Sequence, residues 1–151
     1  MNGESQHSLI QDFCNKQFSA VIEARVKDII SHYNESPDTY VFVEGPRWST
    51  LGFEKISAGW NGYVDSPIKV KDIRFVEGPK GRVTKNMAWI GHIINMIVDI
   101  NGVEKEIRFR GTFVIGKNND GGWKIEHEHF SQPAPDPYGT GDWLPKGEEN
   151  G

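Results

Sequence analysis

Between Ser8 and Tyr33 the apolar residues Leu9, Ile10, Phe13, Phe18, Val21, Ile22, Val26, Ile29 and Ile30 recur mostly at three- and four-residue steps. That spacing draws one stripe along an amphipathic helix and predicts one long helix or a bent pair here. Asn34-Glu35-Ser36-Pro37-Asp38 stops it, and Tyr40-Val41-Phe42-Val43-Glu44 reads as a short strand before a Gly45-Pro46 turn. Thr50 is placed to cap a second helix over about Gly52 to Tyr63, where Phe53, Ile56 and Trp60 share a face. Pro67 closes that unit.

Four β-rich runs follow: Ile68 to Glu77, Lys85 to Ile100, Val103 to Ile115 and Trp123 to Gln132. They are separated by Gly78-Pro79-Lys80-Gly81, by Asn101-Gly102 and by Gly116 to Gly122. Asn-Gly between two such runs predicts a two-residue hairpin, because a type I′ turn needs φ > 0 at both central residues. On the third run Ile107, Phe109, Phe113 and Ile115 form an apolar face suited to the helices, opposite Arg108, Arg110, Thr112 and Val114. On the last, alternation groups Trp123, Ile125, His127 and His129 against Lys124, Glu126, Glu128 and Phe130, and either set could face inward. Helices followed by a meander of long strands make an α+β layout in which the sheet wraps the helices.

The chain of 151 residues is one domain's worth, expected over residues 1–133. The tail 134–151, rich in Pro, Gly and acids, is expected to lack regular structure, with Trp143 and Leu144 as its sizeable anchors. A net charge of -4 argues against a nucleic-acid partner, which needs clustered Lys and Arg. The spacing Lys69, Lys71, Arg74 reads as a solvated strand face rather than a phosphate site. Cys14 stands alone, excluding an internal disulfide, and the polar opening Met1 to Gln6 lacks the regions of a signal peptide; a cytoplasmic protein is expected. The longest apolar run, Ile93 to Val98, is interrupted by Asn95 and too short to span a bilayer, so no membrane partner is expected.

Five short stretches in order resemble the nuclear transport factor two-like, or SnoaL-like, superfamily, near the association domain of the calcium/calmodulin-dependent kinases. They are Tyr40-Val41-Phe42-Val43-Glu44-Gly45, Gly52-Phe53-Glu54-Lys55-Ile56, Ala88-Trp89-Ile90, Arg110-Gly111-Thr112-Phe113-Val114, and Gly122-Trp123 through His127-Glu128-His129-Phe130-Ser131. The resemblance covers roughly residues 8 to 133. It implies a cone-like curved antiparallel sheet wrapped around N-terminal helices, a cystatin-like α+β barrel open at one end into a pocket, with its outer face used for dimerisation. On that alignment Glu126, Glu128 and Phe130 look inward, and His127 and His129 lie outside. The arginines that the kinase association domains carry in their pocket fall here on Gly91, Phe113 and Phe130, so that manner of recognising a small carboxylate is not carried over. Because the fold hosts cyclases, isomerases, dehydratases and assembly hubs, it does not choose an activity.

Glu128 is the candidate general base, since burial beside apolar walls raises a carboxylate's pKa toward neutrality. Tyr40 is the candidate hydrogen-bond donor to developing oxyanion charge. Tyr40, Trp48, Trp60 and Trp89 are aromatics on elements that line the cone mouth in the resembled fold, and Trp48, Trp60, Trp89, Glu126 and Phe130 form the candidate ligand set. His127 and His129 could meet one metal ion from one strand face, but no third ligand stands at motif spacing, so neither a metal nor a cofactor is expected. They read instead as part of an interface with His92, Arg110 and Thr112, beside Ile90 and Ile94. Nothing matches a P-loop, a dinucleotide fingerprint, a zinc spacing or a nucleophile elbow.

The expected function is a homodimeric domain binding a small, partly apolar molecule. One alternative is a cofactor-independent isomerase, cyclase or dehydratase using a pocket carboxylate or histidine; another is an oligomerisation module without catalysis. An open cavity beside an acid of raised pKa would favour ligand binding, and a cone filled by aromatics would favour assembly.

Overall fold

The computed structural model describes residues 3–144, in the order α1 (Gly3–Ile22), α2 (Val26–Ser31), β1 (Tyr40–Phe42), β2 (Thr50–Leu51), α3 (Phe53–Asp65), β3 (Ile68–Val83), β4 (Met87–Ile100), β5 (Val103–Lys117) and β6 (Trp123–Ser131). The long apolar stripe is a bent pair of helices. α1 buries Ile10, Phe13, Cys14, Gln17, Phe18 and Val21, the three- and four-residue steps of one face. The chain then breaks at Ala24, whose φ of 53° is left-handed, and α2 restarts so that Ile29 and then Tyr33 enter the same core. Full burial of side chains such as Ile29, Ile90 and Phe113 contributes about 1.5–3 kcal/mol each.

Thr50 does not cap α3. It pairs with Val41 across β1 and β2, and Gly52 occupies the cap position with φ 97° and no side-chain bond. The corner from β2 into α3 needs a backbone that only glycine adopts without strain, and the Gly52 N–H is satisfied by the Thr39 carbonyl at 2.7 Å.

The six strands form one sheet in the order β2-β1-β6-β5-β4-β3. Pairing is antiparallel from β3 through β6 and between β1 and β2, while β1 lies parallel to β6, so the curved sheet is mixed at that junction. Gly78-Pro79-Lys80-Gly81 is not the expected turn. β3 runs through it, with register shifts on either side of Glu77, and the chain reverses at Thr84–Asn86, where the Thr84 N–H meets the Met87 carbonyl at 2.8 Å. A proline has no N–H to give the ladder, and Gly78 takes φ 80°, so the segment bulges and bends the strand around α1. Contact there is close: a Cβ on Gly81 would lie 2.0 Å from the Trp89 carbonyl oxygen and 3.1 Å from the Ile10 side chain. Asn101 and Gly102, at φ 52° and 85°, make the expected hairpin.

Residues 132–144 form no helix or strand. Asp136 accepts backbone N–H groups of Tyr138 and Gly139 at 3.0 Å each, and Tyr138 stacks on Trp143, which is 77% exposed. The rest of the expected tail, from residue 145, lies outside the described residues. No helix among the described residues is long and apolar enough to cross a membrane.

Candidate functional site

β6 does not alternate strictly. Ile115 pairs with Ile125 and Val114 with His127, leaving Glu126 as an extra residue in a bulge. The bulge moves the strand's faces out of step: Ile125 is fully buried, yet Glu128, three residues on, also points inward. Thus Ile125 does not share a face with His127 and His129. Glu128 stands between Phe113 of β5 and Val41 of β1 and is 3% exposed.

The segment after α2 is clamped beside this strand. The Ile125 N–H donates to the His32 carbonyl at 2.7 Å and the Asn34 N–H donates to the Ile125 carbonyl at 2.9 Å. Tyr33 is thereby turned into the core, where its hydroxyl donates to Glu128 Oε1 at 2.6 Å. Trp60 Nε1 of α3 donates to the same hydroxyl oxygen at 3.1 Å. Gln17 of α1 also hydrogen-bonds that hydroxyl and turns its Oε1 to His32 Nδ1 at 2.5 Å. An amide oxygen only accepts, so His32 donates from Nδ1 and the Gln17 amide nitrogen faces Tyr33. With both lone pairs of the phenol oxygen occupied, its one proton is committed to Glu128.

Glu128, Tyr33, Trp60 and Gln17 form the floor of a cavity of about 270 Å³. Its walls are largely apolar, among them Phe18, Val21, Ile56, Met96, Phe113 and Phe130, and Glu44, Arg47 and Lys55 stand among its lining residues. Burial pushes the Glu128 carboxyl up to about 7; the Tyr33 bond opposes the shift and the Glu44 charge adds to it. Burial, then the Glu128 charge, holds the Tyr33 phenol well above its ordinary value, so it stays protonated. Glu44 reaches solvent, yet the surrounding protein desolvates its carboxyl and raises its pKa. Burial lowers the His32 pKa, with Lys16 and Lys124 adding to the effect, so the imidazole is held neutral. The arrangement pairs a carboxylate poised between its two states at neutral pH with a neutral donor that fixes one of its oxygens.

Of the residues expected in the site, Glu128, Trp60 and Phe130 line the cavity. Tyr40 does not: it pairs in register with His127, one residue out of step with inward Val41, and its ring lies on the outer face against Phe42 and His127. Trp48 is 95% exposed on an outer groove shared with Tyr40 and His129, which adjoins the cavity along Val43, Glu44, Arg47 and Phe130. Trp89 is 51% exposed because β4 turns its even-numbered residues inward. Glu126, carried by the bulge, lies over Gly116 instead of in the cavity.

His92 is misplaced by the same parity. With Ile90 and Ile94 it faces the core, boxed by Phe18, Phe75, Phe113 and Phe130 at ring-centroid distances of 5.3–5.9 Å, and so is absent from the outer face. Neither ring nitrogen has a hydrogen-bond partner, and burial lowers its pKa to about 4. The outer face carries Arg110, whose Nε donates to Ser131 Oγ at 3.0 Å, and Thr112, paired in register with His129. Phe42 packs edge-on between His127 and His129 at 5.1 and 5.3 Å. Among the described residues no three His, Cys, Asp or Glu side chains converge to hold a metal ion.

Tyr33, Gln17 and His32 were not legible as site residues in the sequence. Gln17 had one signal: it is the polar member of the buried stripe of α1, between Phe13 and Val21.

Solved structures share this architecture. A nuclear transport factor 2 (NTF2-like) superfamily protein from Salmonella enterica serovar Typhimurium LT2 superposes with a TM-score of 0.78 at 21% identity, covering 93% of this chain and all of that one. A ketosteroid isomerase-like protein from Erwinia carotovora atroseptica SCRI1043 gives 0.72 at 15%, covering 89% and 100%. A candidate calcium/calmodulin-dependent protein kinase type II association domain from Thiobacillus denitrificans ATCC 25259 gives 0.64 at 12%, covering 82% and 94%. At these identities the likeness concerns the fold. No curated protein matches by sequence. Residues 10–135 match the family model of the SnoaL-like domain, and the chain belongs to that family, with the fold of the NTF2-like structures above.

Proposed function

We propose that the cavity binds a small, largely apolar molecule and that Glu128 moves a proton on it, in an isomerisation, cyclisation or dehydration needing no cofactor. The observation carrying this reading is Glu128 itself, buried, fixed through one oxygen by Tyr33 and poised near pH 7 at the floor of an open cavity. A structural carboxylate is ordinarily ion-paired and pushed downward; this one has a phenol as partner and apolar walls. Aromatics do not fill the cone, which favours ligand binding over assembly alone. Tyr33 orients the base and does not take the oxyanion-donor part expected of Tyr40, since its proton is already given to Glu128.

Native mass spectrometry of the purified protein would identify a retained molecule, which is then incubated in D2O with wild type and with Glu128→Gln. Wild type should exchange or convert it, and the variant should do so about 10²–10⁴-fold more slowly. Equal rates would remove Glu128 from the chemistry.

The outer face supports a second reading, a homodimer. Tyr40, Phe42, His127 and His129 form a continuous ring cluster there, and Trp89 leaves half its surface in water. Light scattering at micromolar concentration should give twice the chain mass, falling to one in Trp89→Glu/Phe42→Glu; a wild-type monomer would end this reading. With its sole cysteine free and buried, the protein is proposed to work in the cytoplasm, without nucleic acid or membrane as partner.

A further inference from the structure

The cavity has a charge axis. Its floor is the Glu128 carboxylate, and its lining also includes Arg47, from the loop between β1 and β2, and Lys55, from the first turn of α3. Among the described residues the ion pairs are Arg25 with Glu23 and Asp28, and Arg74 with Asp72; Arg47 and Lys55 make none and donate no hydrogen bond. Both cations therefore stand free beside an apolar chamber, although Glu44 shares the lining with them unpaired. Two cations and one carboxylate leave one net positive charge apart from the floor.

We propose that the ligand is a small amphipathic monoanion, a carboxylic acid, whose carboxylate is held by Arg47 and Lys55 while its apolar body reaches inward to Glu128. This rests on the reading of the cavity as a ligand site. Like-charge repulsion from Glu128 keeps the acid end away from the floor, and the cations hold it where water still reaches, so the anion loses little solvation. A dianion such as a phosphate monoester fits less well, because Glu44 opposes its second charge. The volume of about 270 Å³ admits a body of one ring or a short chain. These cations lie on a loop and a helix, apart from the strand positions of Gly91, Phe113 and Phe130.

The test uses matched probes, phenylacetate against phenylacetamide and hexanoate against hexanamide, titrated while following the Trp60 indole N–H resonance, assigned by its loss in Trp60→Phe. Each acid should bind at least tenfold more tightly than its amide, and Arg47→Gln/Lys55→Gln should abolish that preference, the acid losing far more affinity than the amide. Equal binding of acid and amide, or a preference that survives in the double variant, overturns the proposal and leaves the cavity reading standing. If no probe of either pair moves the Trp60 resonance, the cavity reading falls and this proposal with it.

Discussion

The Tyr33 hydroxyl donates to Glu128 Oε1 across 2.6 Å while Trp60 and Gln17 occupy its lone pairs. One side of the carboxylate is thus held by a donor that cannot turn away, and the other is left toward the cavity. Tyr33→Phe removes the interaction that lowers the Glu128 pKa, so its midpoint should move upward from about 7. The variant should also lose about 1–3 kcal/mol of stability, because Trp60 Nε1 and Gln17 are left without their acceptor. Carboxyl titration by carbon NMR and urea unfolding check the two parts; an unchanged midpoint would mean that Tyr33 does not tune the acid.

Glu128 should make the fold less stable as pH rises. Its folded pKa, about 7, lies above the value of 4.5 for a free side chain, so between these limits the native state holds more protons than the unfolded one. Its contribution is fully present below pH 4.5 and is lost as pH climbs through 7, a change of about 3 kcal/mol. Glu128→Gln should therefore gain stability relative to wild type between pH 5 and pH 8, read as the difference of two urea-unfolding series. A constant difference over that range would show that Glu128 ionises normally.

His92 acts in the opposite direction. Its folded pKa of about 4 lies below the free value of 6.5, so the unfolded chain takes up a proton that the native state refuses. Stability is full above pH 6.5 and falls by about 3 kcal/mol as pH drops toward 4. His92→Leu, which keeps the volume among the four phenylalanines, should flatten that acid limb; wild-type acid sensitivity in the variant would place the cause elsewhere.

Two glycines separate close packing from mere flexibility. A Cβ on Gly111 would lie 2.5 Å from both His92 Cε1 and Phe130 Cε1, so Gly111→Ala should cost about 1–3 kcal/mol. Gly62 lies within α3, where an added Cβ would meet nothing within 4 Å, and Gly62→Ala should stabilise by about 0.5–1 kcal/mol. Thermal unfolding of both variants checks the pair, and a neutral Gly111→Ala would contradict the packing around His92.

The elements were legible where periodicity or turn chemistry is local. The helical stripe, the Asn101-Gly102 hairpin and the apolar face of β5 each follow from residues adjacent along the chain. Errors arose where a long-range partner decides the outcome. Gly78-Pro79 reads as a turn until β4 is alongside to keep β3 running, and the bulge at Glu126 appears only in the pairing with β5. That one extra residue settles which face of β6 lines the cavity. Glu128 was placed inward only through the family resemblance, and its partner Tyr33 lies 95 positions away and is brought there by backbone bonds to Ile125. His92 was placed with Ile90 and Ile94 at an outer interface because strand alternation gives a face but not its direction, whereas β4 turns that face inward and buries His92 among four rings.

The most direct test of the account is a carbon NMR titration of the Glu128 side-chain carboxyl in the folded protein, assigned by its loss in Glu128→Gln. The expected midpoint is about 7. A midpoint near 4.5, the value of a free glutamate, would contradict the reading of Glu128 as a base poised for proton transfer at neutral pH.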